Sequence, residues 1–440
     1  MKILLIEPAW HKAIMKEHIQ FPPLGLAMVA AATPPEHEIR LLDENLDALE
    51  IDDPVDLVGI TAMTCQAMRA YEIAAEYRLR GVPVILGGMH VTLIPEEAAE
   101  HADSILLGDA ETVWTNIVDD ARKRKLQPRY EGKPGVGQIN RVLPRRDLFK
   151  GKGYLPLTLM QYVRGCRFAC SFCAVSQYFD KKHYHRAIDD VLREIEAQDR
   201  KFIFFIDDNI ASDHKALAEL CHALIPMKLH WVSQASLDVT RNLPLMKLLE
   251  RAGNWGNVTG FESITPQSLR DARKSPNLPR FSHYKEEVRV LREHGMQSWA
   301  AFTLGYDHDT PESIAATVDF ALESRFTLAA YNILMPYPNT PLYRQLEKEG
   351  RLLWNGKWWL HPQYRFNHAA FVPRLMTPEE LTDACHAART RFNSFPSLLH
   401  RFADVKTHLR SAARVAGFWK YTLLFKKEIP KKHGMRFGLH

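Results

Sequence analysis

Short, nearly unbroken apolar runs recur through the first part of the chain: residues 2–8 (KILLIEP), 38–43 (EIRLLD), 56–62 (DLVGITA), 83–88 (PVILGG) and 104–108 (SILLG), with helix-like stretches between them. A strand that is apolar at nearly every position is covered on both faces. The pattern therefore predicts a five-stranded parallel, doubly wound sheet within the first 125 residues, in a Rossmann-like unit bounded at 1–128. Sheets of this kind bind ligands beyond the carboxyl ends of their strands. Those ends are Glu7-Pro8, Thr61 to Thr64, Gly87-Gly88-Met89-His90 and Gly108-Asp109-Ala110-Glu111, and the two glycine turns allow the backbone to approach a flat or bulky ligand closely. GxGxxG and GxxxxGK[ST] are both absent, so no nucleotide-phosphate loop is indicated.

Residues 129–154, rich in Lys, Arg, Gly and Pro and without a period, read as a linker with a turn at Lys133-Pro134-Gly135. From about 157 to 336 the runs LTLMQYV, KFIFFID, LHWVSQAS, NVTGFES, QSWAAFTLG and LAAYNILMP alternate with amphipathic helices. Six such repeats predict an α/β unit over 155–345, an incomplete parallel (β/α)6 barrel. The remainder, 346–440, is helical and aromatic, with Trp354, Trp358, Trp359 and Tyr364 ahead of the helix-start signal Thr377-Pro378-Glu379-Glu380. It is expected to pack across the barrel mouth.

Composition narrows the class. With 440 residues, 46% hydrophobic and 25% charged, the chain has material for two or three packed domains and no bias toward disorder. The opening MKILLIEPAW is a strand pattern rather than a signal peptide, and no apolar run reaches a membrane span, so a cytoplasmic location is expected. The net charge of +5 conceals an asymmetry: residues 401–440 carry ten Lys and Arg against Asp404 and Glu428 alone, leaving the rest of the chain at −3. From His408 to Phe425, apolar Leu409, Val415, Phe418, Trp419, Leu423 and Leu424 alternate with Arg410, Arg414 and Lys420, and Lys426, Lys427, Lys431 and Lys432 follow. Such a stretch suits peripheral contact with an anionic bilayer by an enzyme with a lipid-like substrate, or a terminal helix packed on the barrel. A nucleic-acid partner is not expected.

Six cysteines are too few for a disulfide scaffold, and three of them crowd into one loop. Cys65, Cys221 and Cys385 stand alone and read as small buried hydrophobes. Cys166, Cys170 and Cys173, in Arg164-Gly165-Cys166-Arg167-Phe168-Ala169-Cys170-Ser171-Phe172-Cys173, have CxxxCxxC spacing directly after the first barrel strand. Three thiolates hold three irons of a 4Fe-4S cluster and leave the fourth without a protein ligand. That position is open to the amino and carboxylate groups of S-adenosylmethionine (SAM), and one-electron transfer to its sulfonium then releases a carbon-abstracting radical. The competing reading is zinc, which prefers four ligands and paired CxxC units, with His183 or His185 as the nearest fourth donor.

With these residues in view, the sequence resembles the radical SAM superfamily. The resemblance implies that Asp207 and Asp208, in Phe205-Ile206-Asp207-Asp208-Asn209, lie near the SAM amino group and Phe172 near its adenine. It likewise implies that Ser236, Asp238 and Glu262 contact the sugar and methionine parts, and that Gly305 lies near the adenine. A Rossmann-like domain ahead of such a barrel resembles the cobalamin-binding branch, called class B radical SAM methyltransferases. The matching phrases are Phe21-Pro22-Pro23-Leu24-Gly25-Leu26, the run from Gly87 to Glu97, Gly108 to Glu111, and the run from Met335 to Tyr343. The resemblance implies a cobalamin pocket formed by Pro8, Thr61, Thr64, Gly87, Gly88, His90, Gly108 and Glu111. The DxHxxG signature of other cobalamin proteins is absent, so no histidine is assigned as lower cobalt ligand.

The implied activity is methylation of an unactivated carbon of a small or hydrophobic substrate, with one SAM methylating cobalt and another yielding the radical. An external one-electron reductant such as flavodoxin or ferredoxin is implied as partner. Three alternatives stay open: the same cofactors used for cyclisation, oxidation or rearrangement; a tRNA methylthiotransferase, for which a second set of cluster cysteines is wanting; and a non-catalytic cobalamin or iron-sulfur carrier or sensor.

Overall fold

The structure is a computed structural model describing residues 1–9, 20–133 and 142–437. Pro134 and Gly135 of the expected turn lie outside the described residues.

The first sheet contains β1 (Lys2–Glu7), β2 (Glu38–Asp43), β3 (Leu57–Thr61), β4 (Val84–Gly87), β5 (Ser104–Leu107) and β6 (Arg129–Glu131), all parallel, in the order β2-β1-β3-β4-β5-β6. Two-sided burial explains its continuous apolar runs. Leu4, Ile6, Val58 and Ile60 pack on the face covered by the helix Ala67–Leu79, while Ile3, Leu5 and Leu57 pack on the face covered by Leu24–Ala31 and Trp114–Arg122. β6 lies past residue 128, in the segment expected to be linker, so this sheet has six strands rather than five. Its burial pattern, exposed-intermediate-exposed, gives it no apolar run to be recognised by.

The second sheet is also parallel and six-stranded. It contains β7 (Thr158–Met160), then, after a short antiparallel pair β8 (Val163–Gly165) and β9 (His183–His185), β10 (Phe202–Phe205), β11 (His230–Gln234), β12 (Asn254–Glu262), β13 (Trp299–Leu304) and β14 (Leu328–Ile333), in the order β14-β13-β12-β11-β10-β7. β7 and β14 are the two ends and do not pair, so the barrel is incomplete, as the six repeats predict. Alternate strand residues face the outer helices and are buried: Ile203, Phe205, Trp231, Phe261, Ala300, Phe302, Leu304, Tyr331 and Ile333. Their neighbours Phe202, Phe204, Val232, Gln234, Trp255, Trp299, Ala301 and Thr303 are only half-buried, and these line the interior.

The C-terminal region differs from expectation. Trp358, Trp359, Tyr364 and Phe437 join the core of the first domain rather than closing the barrel mouth, and the Trp359 indole donates to Glu97 Oε1 at 2.9 Å. Burying one indole removes roughly 200 Å2 from water, about 5 kcal/mol as an upper bound, which explains why the aromatic cluster follows the apolar face offered by the first sheet. The helices Pro378–Phe392 and Ala412–Lys432 lie against the β13–β14 side of the barrel. Among the described residues no helix is long and apolar enough to cross a membrane.

Candidate active site between the two sheets

The cysteine loop runs from β8 to the short helix Ala174–Tyr178. Gly165, just before Cys166, has φ +82°, and a Cβ there would stand 2.2 Å from the Lys182 carbonyl oxygen, so the turn into the loop requires glycine. Ser171 N–H and Oγ–H donate to the carbonyls of Ala272 and Asp271, and the Ser171 carbonyl accepts from Leu342 N–H, which ties the loop to two distant segments. Burial pushes the Cys170 thiol up to about 12 despite the nearby Lys274 ammonium, and Cys173 is raised by the same cause. Such thiols stay protonated until iron displaces the proton. Among the described residues no three His, Cys, Asp or Glu side chains form a group that could hold one metal ion. His185, a candidate fourth zinc ligand, packs its ring on Tyr162 and His183.

The carboxyl end of β10 holds this loop. Asp208 Oδ2 accepts from Gly165 N–H at 2.7 Å, and Asp207 Oδ1 accepts from Tyr162 N–H at 2.7 Å. Burial pushes the Asp207 carboxyl up to about 8, against the backbone donors of Tyr162 and Val163, and its Oδ2 is buried without a protein partner. Both aspartates thus point at the backbone around the loop. Asn209 points at the loop's sulfur: its amide donates to Cys166 Sγ at 3.5 Å and to Ser236 Oγ at 3.1 Å, while its Oδ1 accepts from Ser236 N–H. Asp238 binds Arg167 at 2.9 Å, and its Oδ1 is buried without a partner.

Glu262 is aimed by a fault in its own strand. The register of β12 against β13 shifts between Gly260 and Glu262, and Glu262 has φ +62°. A bulge with a left-handed residue redirects the side chain. Glu262 Oε1 accepts from Lys274 Nζ at 2.8 Å and Oε2 from Thr303 Oγ at 2.7 Å. Lys274 is half-buried, yet its ammonium is stabilised, because Glu262 and the cysteine sulfurs outweigh desolvation. Phe172 stands edge-on to Tyr306 with ring centres 6.4 Å apart, and Gly305 N–H donates to Asp309. Ser236, Asp238, Glu262, Phe172 and Gly305 therefore lie at the carboxyl ends of the barrel strands with the cysteines. This collection of buried carboxylates, one ammonium, an aromatic and unpaired acceptors fits a zwitterionic, adenine-bearing ligand.

Across the gap, a cleft of about 180 Å3 lies against the first sheet. Thr61, Gly87, Gly88, Gly108 and Glu111 line it together with Gly59, Asp109, Trp114, Arg164 and Tyr178. Gly88 has φ +98°, and a Cβ there would come within 2.8 Å of the Ala62 backbone. A cleft floored by glycine backbone fits the extended arm of a bulky cofactor. Pro8 and Thr64 are beside it rather than in its lining; the Pro8 carbonyl accepts from Gln66, whose amide also binds Glu7 at 2.5 Å. His90 is fully buried beyond the cleft: its Nε2 meets Tyr71 hydroxyl at 3.0 Å and Glu97 at 3.4 Å, and its ring packs against Trp359. It belongs to the contact with the C-terminal region.

Sequence reasoning missed the residue joining the two halves. Arg164, immediately before Gly165-Cys166, pairs with Asp109 at 2.9 Å and Glu111 at 2.7 Å, and Tyr178 hydroxyl donates to Asp109 at 3.3 Å. Asn209 and Arg164 directly adjoin the aspartate pair and the cysteine loop in sequence, whereas Lys274 and Thr303 carry no local signal. Cys221 and Cys385 are buried in the hydrophobic cores and Cys65 is half-buried.

Comparison with known proteins adds to this geometry. A B12-binding domain family matches residues 18–118 and the Radical SAM superfamily matches residues 160–321. The chain is 31% identical to a bacteriochlorophyllide d C-8(2)-methyltransferase of Chlorobaculum tepidum, over 74% of this chain and 76% of that one. It is 28% identical to a hopanoid C-2 methylase of Rhodopseudomonas palustris, over 76% of this chain and 65% of that one. Its fold is similar to the radical SAM methyltransferase TsrM of Kitasatospora setae, with TM-score 0.67, 16% identity and 98% of each chain covered.

Proposed function

Because this chain belongs to the radical SAM superfamily, in the branch that carries a B12-binding domain, we propose that it methylates an unactivated carbon of a hydrophobic small molecule. It is an enzyme whose cofactors are a 4Fe-4S cluster, SAM and cobalamin. When bound, these supply one-electron cleavage chemistry and a transferable methyl group.

The chain's own residues do the positioning. Cys166, Cys170 and Cys173 hold the cluster, with Asp208 and Asn209 fixing their loop. Glu262, Lys274, Ser236, Asp238, Phe172 and Gly305 form the SAM site, with Asp207 holding the backbone beside it. Thr61, Gly87, Gly88, Gly108 and Glu111 form the cobalamin pocket, and Pro8 and Thr64 shape its margin. Arg164 holds the cluster loop against that pocket, which sets the two reacting ends at a fixed separation and gives the proximity the reaction needs.

The observation that carries the hydrophobic-substrate reading is the barrel's inner wall. Phe202, Phe204, Trp255 and Trp299 are half-buried and give it an aromatic lining, with Phe202 packed on Trp255, Phe204 edge-on to Phe21 and Trp299 against Phe425, a wall whose chemistry suits an apolar molecule. Relatives methylating a bacteriochlorophyllide and a hopanoid support the same class. An external low-potential reductant of the flavodoxin or ferredoxin class supplies electrons, and the enzyme works in the cytoplasm at the membrane periphery. Incubating the anaerobically reconstituted protein with methyl-labelled SAM and an apolar extract tests the reading: label in an apolar product is expected. Deoxyadenosine formed without label transfer would instead select cyclisation, oxidation or rearrangement.

A further inference from the structure

The helices Phe395–Phe402 and Ala412–Lys432 lie side by side: the Phe402 and Trp419 rings are 5.1 Å apart, and the Lys426 ammonium is 5.9 Å from the Phe395 ring. Their inner sides are packed, with Leu398, Arg401, Arg414, Phe418, Thr422 and Glu428 buried. The outer side is not the usual solvated helix face. On the two helices Phe395 is 54% exposed, Leu399 50% and Leu423 40%, and in the short connecting turn of helix Val405–His408 and its cap Val405 is 61% and Leu409 48% exposed, together five of the twelve exposed large hydrophobics among the described residues.

Lys406, Lys420, Lys426, Lys427 and Lys431 are exposed in the same segment. Its two acids are hidden: Asp404 pairs with Arg292 at 2.7 Å and Glu428 with Lys432 at 2.9 Å, both buried. The segment thus presents lysine and hydrocarbon with no exposed acid of its own, and the neighbouring exposed Glu250 is engaged by Arg410 at 2.7 Å. Lysine stems lie along apolar surface while their ammonium groups reach an anionic headgroup layer, and exposed Leu, Val and Phe enter the acyl boundary. Nucleic acid would answer the lysines but leave those hydrophobic side chains in water.

We propose that this face docks the enzyme on an anionic lipid bilayer, an inference that rests on the hydrophobic-substrate reading. The other flank of the same terminal helix supports it. Phe425 and Ile429 line, with Trp299, Leu328, Ala330 and Phe366, a cleft of about 200 Å3 at β14, the unpaired edge of the barrel sheet. One helix therefore has a membrane-suited outer side and an inner side on a cleft where these apolar residues stand beside Arg389, Asn393, Glu428 and Lys432, a mixed lining suited to an amphiphilic molecule drawn from the lipid surface.

The test uses the full-chain holoenzyme in flotation with phosphatidylcholine vesicles, with or without phosphatidylglycerol. Binding is expected to the anionic vesicles and to weaken with salt. The triple change Lys420→Glu, Lys426→Glu, Lys427→Glu should lower binding about a hundredfold. Leu399→Glu, Leu409→Glu, Leu423→Glu should lower it by about tenfold or more, and both variants should keep wild-type iron and cobalt content and reductant-driven SAM cleavage. No binding to anionic vesicles, equal binding to both compositions, wild-type binding by both variants, or binding to RNA in place of vesicles would each overturn the proposal. Label in an apolar product without vesicle binding refutes the docking face alone; label in a water-soluble product with vesicle binding refutes the substrate class alone.

Discussion

Lys274 is a half-buried positive charge whose neighbours are the buried Glu262 carboxylate and the cluster cysteines. Replacing Lys274 by Met leaves Glu262 buried with only Thr303 to answer it, a loss of about 3–5 kcal/mol. The double change Lys274→Met, Glu262→Gln removes both charges and should recover most of that. Urea midpoints of the cobalamin- and cluster-loaded proteins check the cycle. A second residue-scale prediction concerns Glu7, at the carboxyl end of β1. Burial pushes its carboxyl up to about 8 despite the hydrogen bond from Gln66. The folded state holds this proton more tightly than the unfolded one, so the group's contribution is complete below about pH 4.5 and is lost as pH rises toward 8. Glu7→Gln should flatten the decline of melting temperature between those limits. Cys166, Cys170 and Cys173 were legible as a set because a three-thiol loop is a local pattern. Lys274 was not, because its partner is set by a turn after Pro266–Asp271 that returns it to the strand end.

Strand ends are where elements become sites. Glycine turns after β4 and β5 were readable from sequence, since a pair of glycines after an apolar run marks a tight approach. Gly88→Ala should cost about 2 kcal/mol or more through left-handed strain and collision with the Ala62 backbone. It should also lower the cobalt retained per chain on anaerobic gel filtration. The bulge at Glu262 was invisible by comparison: alternation in β12 reads as an ordinary strand, and the register slip exists only against β13. The sixth strand, Arg129–Glu131, escaped for a similar reason, because an edge strand with exposed side chains needs no apolar pattern.

At the scale of the whole molecule, Arg164 joins the two sheets. Arg164→Met leaves Asp109 and Glu111 without their shared guanidinium; the expected loss is about 3–5 kcal/mol, seen as separate melting of the two units in calorimetry. The C-terminal region has its own sensitivity. Burial holds the His408 imidazole down to about 4, although Asp404 pulls the other way. The unfolded state therefore binds the extra proton first, and this group's stabilisation is lost as pH falls from about 6.5 toward 4. Hydrogen exchange at pH 7 and pH 4.5 should show residues 395–432 loosening on acidification, an effect weakened in His408→Asn.

The sequence alone determined the two parallel sheets and the cluster loop, and the motifs it contains carried the resemblance that named the cofactors. All of these are short-range: strand burial, glycine turns and three thiols in eight residues are set by neighbours along the chain. Only the tertiary structure decided which strand ends meet. It joined Arg164 to Asp109 and Glu111, turned Asp207 and Asp208 onto the backbone of the loop, buried His90 beside Trp359, and carried the C-terminal aromatics to the first domain. Those pairings span tens to hundreds of residues, and no periodicity of 2 or 3.6 reaches so far; they follow from which apolar faces and buried charges the folded chain must cover.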